Sequence, residues 1–186
     1  ETIEPYLKEG KADLVDLAYR ILLNLTADFS GVERPEKSPE ETARILNLLR
    51  TFGKAATLGQ AKGDKEAIVK EIEDALDEFD RDFYQPSKQK RLECIKRMEQ
   101  GELSEDEMPS DILMELIKNQ DKLELSDEIV MKETAFFLLA GAFTSIHTLT
   151  HSMHELFERL QDPEKKEDVM NNPFFLQKCI HESMRL

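Results

Sequence analysis

The stretch from Ser126 to Leu160 constrains this chain more than any other. It holds no proline and only one glycine, Gly141. Its residue pattern predicts a single helix of some 35 residues, about 50 Å long at 1.5 Å per residue. With neutral histidines, no formally charged residue lies between Glu133 and Glu155, which raises the question of a membrane span. The second half answers it, because Thr144, Ser145, His147, Thr148, Thr150, His151, Ser152 and His154 leave the purely apolar part shorter than a bilayer needs. A helix running through the middle of a large domain is the expected use of such an element.

The rest of the chain is punctuated to match. Pro35, Pro39, Pro86, Pro109, Pro163 and Pro173 fall at the edges of periodic stretches, where a ring without an N–H is tolerated. Leu14, Leu17, Ala18, Ile21, Leu22 and Leu25 recur at three- and four-residue steps and predict a helix over about 11–29. Ser38-Pro39-Glu40-Glu41 combines a capping hydroxyl, a first-turn proline and a glutamate, so a helix should start there and run to about residue 56. Asp64 opens another, and Gln85-Pro86-Ser87 should interrupt it before a further helix carrying Leu92, Ile95 and Met98. A short helix is expected after Pro109, and Asp162-Pro163 and Asn172-Pro173 each predict a helix start. No run alternates like a strand, so the fold class is all-α.

A length of 186 residues suits one domain. Asp and Glu number 39 against 25 Lys and Arg, for a net charge of −14. Such an excess argues against a general binder of phosphate backbones. Cys94 and Cys179 are too few for a disulfide framework and lack metal-ligand spacing, so a reducing, cytoplasmic setting is expected. Glu1-Thr2-Ile3-Glu4 has neither an initiator Met nor a signal-peptide pattern, and His181 to Leu186 stops inside a helical pattern. Both ends read as cuts within a longer protein.

Chemistry is concentrated where the long helix carries Phe136-Phe137-Leu138-Leu139-Ala140-Gly141-Ala142-Phe143-Thr144-Ser145. A glycine inside a helix costs about 1 kcal/mol relative to alanine. Here it leaves a side-chain-poor patch that either lets something flat approach the backbone or lets two helices pack closely. Thr144 follows Ala140 by one turn, so its hydroxyl can bond the Ala140 carbonyl or open that turn to water.

These residues, with Glu182-Ser183-Met184-Arg185 one short helix later, resemble the cytochrome P-450 family of haem-thiolate monooxygenases. In that family the central helix carries Ala/Gly-Gly-x-Asp/Glu-Thr, matched by Ala140-Gly141-Ala142-Phe143-Thr144 with one departure, and a later helix carries Glu-x-x-Arg. Glu41 to Arg44 and Glu78 to Arg81 also fit the second pattern, but only Glu182 to Arg185 follows the glycine-threonine helix, after Asn172-Pro173-Phe174-Phe175-Leu176. The resemblance implies that residues 1–186 form a single partial domain of that fold, a multi-helix core around one long helix at about 127–160 and ending at the Glu-x-x-Arg helix. The family's cysteine loop, Phe-x-x-Gly-x-Arg-x-Cys-x-Gly, is absent, and neither Cys94 nor Cys179 has such surroundings. The axial thiolate therefore belongs outside this chain, which alone is expected to be inactive, and no metal ligand is assigned within it.

What the resemblance implies chemically is an oxidoreductase in which haem iron activates dioxygen and one oxygen atom enters a hydrophobic organic substrate. Ala140, Gly141 and Thr144 would border the haem, and Thr144 would relay protons through water. Phe136, Phe137 and Phe143 would wall the substrate pocket, and Glu182 and Arg185 would join a buried structural ion network. Electrons would come from a redox partner protein. Phe143 stands where the family has an acid, and a phenyl ring neither holds nor passes a proton. That departure admits a peroxide-using haem-thiolate enzyme as an alternative. A non-catalytic helical interaction module is the alternative from another class. His147, His151 and His154 share a helix face, yet His154-Glu155-Leu156-Phe157-Glu158 has a glutamate where a zinc-protease helix needs its second histidine.

Overall fold

The computed structural model describes residues 3–185, so Glu1, Thr2 and Leu186, and with them the readings made of the two chain ends, lie outside it. Among the described residues every regular element is helical. In chain order these are α1 (Glu4–Glu9), α2 (Leu14–Ser30), α3 (Pro39–Ala56), α4 (Lys65–Phe79), α5 (Gln85–Glu99), α6 (Ile112–Asn119), α7 (Asp127–Arg159), α8 (Pro163–Asn171) and α9 (Pro173–Arg185). Short 3-10 turns occupy Leu58–Gln60 and Glu105–Glu107. The chain groups into two compact units, Leu23–Gly141 and the remainder, and α2 and α7 each contribute residues to both.

Local chemistry sets the helix starts. The Ser38 hydroxyl accepts from the Glu41 N–H at 3.0 Å and opens α3, while the Glu41 carboxylate reaches back to the Lys37 N–H at 2.7 Å. Asp64 caps α4 by accepting from Glu66 and Ala67, and Asp162 and Asn172 cap α8 and α9. Apart from the Lys37 bond, which lies just before the cap, each satisfies a backbone donor that the first helical turn leaves orphaned. After Pro109, the helix start lies at Asp111, whose carboxylate accepts from the Met114 N–H at 2.9 Å.

The interruption expected at Gln85-Pro86-Ser87 is absent. A π-helical turn, Asp80–Tyr84, joins α4 directly to α5. Pro86 has no N–H to give the turn before it, and the wider turn absorbs this, with the Gln85 N–H bonded to the Asp80 carbonyl. The Ser87 hydroxyl donates to the Phe83 carbonyl at 2.5 Å and accepts from the Glu33 N–H at 2.8 Å.

Within Leu23–Gly141, the core holds fully buried Leu23, Ile45, Leu49, Phe79, Tyr84 and Leu113. Phe79 meets Phe52 edge-on with centroids 5.8 Å apart and stacks on Phe83 at 6.2 Å. A buried ionic clasp ties three segments together. Arg91 on α5 donates to Asp111 at 2.8 Å and to Glu33 at 2.6 Å, and also to the Ser87 carbonyl. Burial opposes the charge on Arg91, but the two carboxylates outweigh it and raise its pKa. Gly31 makes this clasp possible. Its φ is +82°, and a Cβ there would overlap Asp111 and stand 2.7 Å from the Leu113 Cβ.

The other unit buries fewer of its residues. Tyr6 donates to Asp16 at 2.8 Å, α8 buries no residue, and α9 buries only Ser183, whose hydroxyl donates to the Cys179 carbonyl. By length and composition α7 is the one helix among the described residues able to cross a membrane, with a mean hydropathy of 1.5 over its most apolar window. Buried Thr134 and Ser152 and three exposed histidines interrupt its apolar character.

Candidate functional site

The candidate site is built on α7, whose faces are sorted by a four-residue step. Val130, Thr134, Leu138 and Ala142 are buried, whereas Phe136, Phe137 and Thr144 are exposed and Ala140 is half-buried. Asp127 anchors the N-terminal end of the helix. It accepts from the Tyr84 hydroxyl at 2.8 Å and pairs with Lys88. Burial would raise the Asp127 pKa, but the hydrogen bonds from Lys88 and Tyr84 hold it below the usual range, and burial pushes the Tyr84 phenol up.

Gly141 sits on a different face from its motif neighbours. A Cβ added to it would lie 2.6 Å from the Thr26 Cγ2 of α2, so Thr26 fills the space the missing side chain leaves. Of the two uses open to a bare glycine here, close approach of another helix is the one seen at this point. Ala140 is half-buried like Gly141, and Thr144 is exposed.

Two aromatic residues expected in one wall are separated. Phe136 lines a cavity of about 350 Å³ with Phe52 of α3, Ile72 and Leu76 of α4, and Ala135 and Leu139 of α7. Phe137, in edge contact with Phe136 at 5.9 Å, lines instead a groove of about 640 Å³ with Phe29, Leu116 and Leu123. Phe143 is half-buried, its ring 6.3 Å from that of His147.

In the other unit, Thr144, Ser145, Thr148 and Ser152 line one side of a cleft of about 390 Å³, facing Ile180 and Met184 of α9. The Ser152 hydroxyl is buried without a protein partner, the situation in which a buried hydroxyl usually holds water. Sequence reasoning singled out Thr144 but not this hydroxyl row, although the i, i+4, i+8 spacing of Thr144, Thr148 and Ser152 was its signal.

Glu182 and Arg185 form an ion pair on α9, but with side chains 52% and 70% exposed. Among the described residues the pair is local and solvated; the buried network that the resemblance implies needs a further arginine that this chain does not supply. The Arg185 guanidinium holds the Glu182 carboxyl below its usual range. Cys94 and Cys179 are free and half-buried. Compared with known proteins, the chain matches no family model, no curated protein and no solved structure.

Proposed function

We propose that this chain is part of a haem-dependent monooxygenase of the cytochrome P-450 kind, spanning its central helix to its Glu-x-x-Arg helix and acting on a hydrophobic organic substrate. One observation carries the reading. The apolar groove lined by Phe52, Ile72, Leu76, Phe136 and Leu139 ends one residue before Ala140, so an apolar recess adjoins the motif that the resemblance assigns to the haem.

The residues present fit the distal border of such a group in part. Ala140 offers little side chain and Thr144 is an exposed residue, while Gly141 is committed to Thr26. When bound through a thiolate from outside this chain, the haem supplies the oxidising chemistry. The work of this chain is to offer an apolar surface and to manage protons. Phe136 and Leu139 keep the groove apolar. The Thr144 hydroxyl both accepts and donates, so it can pass a proton to or from water, and Ser145 and Thr148 extend that capacity along α7. Phe143 contributes no proton. That places the whole relay on hydroxyls and water and favours, as a second reading, an enzyme supplied with peroxide. A redox partner protein and a cytoplasmic setting belong to the main reading.

The test is a chain extended beyond Leu186. If it contains the cysteine loop and gives the red-shifted absorption of thiolate-ligated ferrous haem with carbon monoxide, the reading stands. Lack of such a loop defeats it. In that protein, Thr144→Ala is expected to uncouple oxygen consumption from product formation, and unchanged coupling removes Thr144 from the mechanism.

A further inference from the structure

Within the unit Leu23–Gly141, three helices contribute apolar side chains to the open groove that Phe137 lines. Phe29 comes from the end of α2, Ile112 and Leu116 lie one turn apart on α6, Leu123 follows α6, and Phe137 comes from α7. Phe29 is 63% exposed and Leu123 57%. Leu25, one turn before Phe29 on α2 and also exposed, lengthens the same strip. Single exposed apolar side chains are ordinary, but a contiguous set drawn from several elements marks a surface that a partner covers.

Charge indicates what kind of partner. The charged residues lining the groove are both acids, Asp111 and Glu115, and neither Lys118 nor Lys122 lines it. Asp111 is taken by Arg91, whereas Glu115 is exposed and forms no ion pair among the described residues. Glu133, one turn before Phe137 on α7, is likewise exposed and forms no ion pair among the described residues. These carboxylates sit beside the apolar strip on a chain of net charge −14, whose field draws cations in. An acidic segment would meet like charge here, and a basic one would be steered to the strip and neutralise its rim. The groove volume of about 640 Å³, at roughly 30 Å³ per water-sized group, holds about twenty carbon-sized units. That is about five leucine side chains, the apolar stripe of a helix of about four turns.

We infer that this groove docks a basic amphipathic helix of a partner protein, its apolar stripe on Phe29, Leu116 and Phe137 and its flanking Lys or Arg side chains on Glu115 and Glu133. The two exposed rings are the anchors and the two carboxylates set the choice of partner. The inference does not rest on the haem reading.

The test titrates this chain against a fluorescein-labelled peptide of Leu and Lys, about 18 residues long with its leucines on one helical face, read by fluorescence anisotropy. That peptide is expected to bind at least tenfold more tightly than one of the same composition shuffled to leave no apolar face. It should also outbind, by a similar factor, a peptide with Glu in place of Lys. Phe29→Ser combined with Leu123→Ser should weaken binding at least tenfold with the helical circular dichroism unchanged. Glu115→Lys combined with Glu133→Lys should weaken it about tenfold, whereas Glu73→Lys combined with Asp74→Lys, the same charge change on exposed positions of α4, should leave it within twofold. If the serine variant loses helical signal, the two charge variants decide. No binding, equal binding of the shuffled peptide, preference for the Glu peptide, or equal weakening by both charge variants overturns the inference. Self-association of the chain that the serine variant abolishes also overturns it, by giving the groove to a second copy.

Discussion

The unit Leu23–Gly141 and the unit carrying α8 and α9 are built on opposite principles. The first holds both a nest of aromatic rings and buried charge, with Arg91 and Asp111 both nearly inaccessible and locked together. The second buries few side chains, exposes Met170, Phe174 and Met184, and keeps its motif ion pair in water. Sequence motif and structural weight therefore part company. Glu182-Ser183-Met184-Arg185 is the more recognisable pattern, whereas Arg91, which belongs to no recognised pattern, holds three segments in place.

The comparison breaks most readily at Arg91. Arg91→Ala leaves Asp111 as a buried acid without its cation and Glu33 with Lys90 alone, and is expected to cost about 3–5 kcal/mol, read from urea unfolding. A loss below about 1 kcal/mol would make the clasp ornamental. Gly31→Ala comes next, at about 2 kcal/mol or more, because it combines a left-handed backbone with overlap at Asp111 and Leu113. Tyr84→Phe removes one partly buried hydrogen bond to Asp127 and should cost about 1–2 kcal/mol.

Acid sharpens the same contrast. Burial would raise the Glu33 pKa, but Lys90 and Arg91 hold it down, and Asp127 is likewise depressed. Stability from a depressed carboxylate is complete above its unfolded pKa, about 4, and is lost as pH falls through the lower folded value. Unfolding midpoints followed below pH 4 should therefore drop in the wild type and drop less in Glu33→Gln. The smallest effect is expected at α9, where Glu182→Gln should leave the unfolding midpoint unmoved. Amide exchange should rank the regions the same way, fastest along α8 and slowest around Leu49 and Leu113.

Helix starts at Ser38, Asp64, Asp162 and Asn172 were legible because a cap is a bond between residues two or three apart. The continuity of α4 and α5 was not, since Pro86 signals a break unless the preceding turn widens. Arg91 was invisible for a related reason. In sequence it sits among Lys88, Lys90 and Glu93 like any solvated charge, and only the fold brings Asp111 and Glu33 to it. At the candidate site, Thr144 and Phe136 were readable from the long helix. The groove that Phe136 lines was not readable, because it depends on α3 and α4 packing alongside α7.

The wide turn at Asp80–Tyr84 works as a phase adjuster between two rods. Each helical residue advances the azimuth by about 100°, so removing a single amino acid there would leave both rods helical yet swing Arg91 off its mates. One codon, placed where no chemistry happens, would thus unlatch the clasp while barely altering helical content.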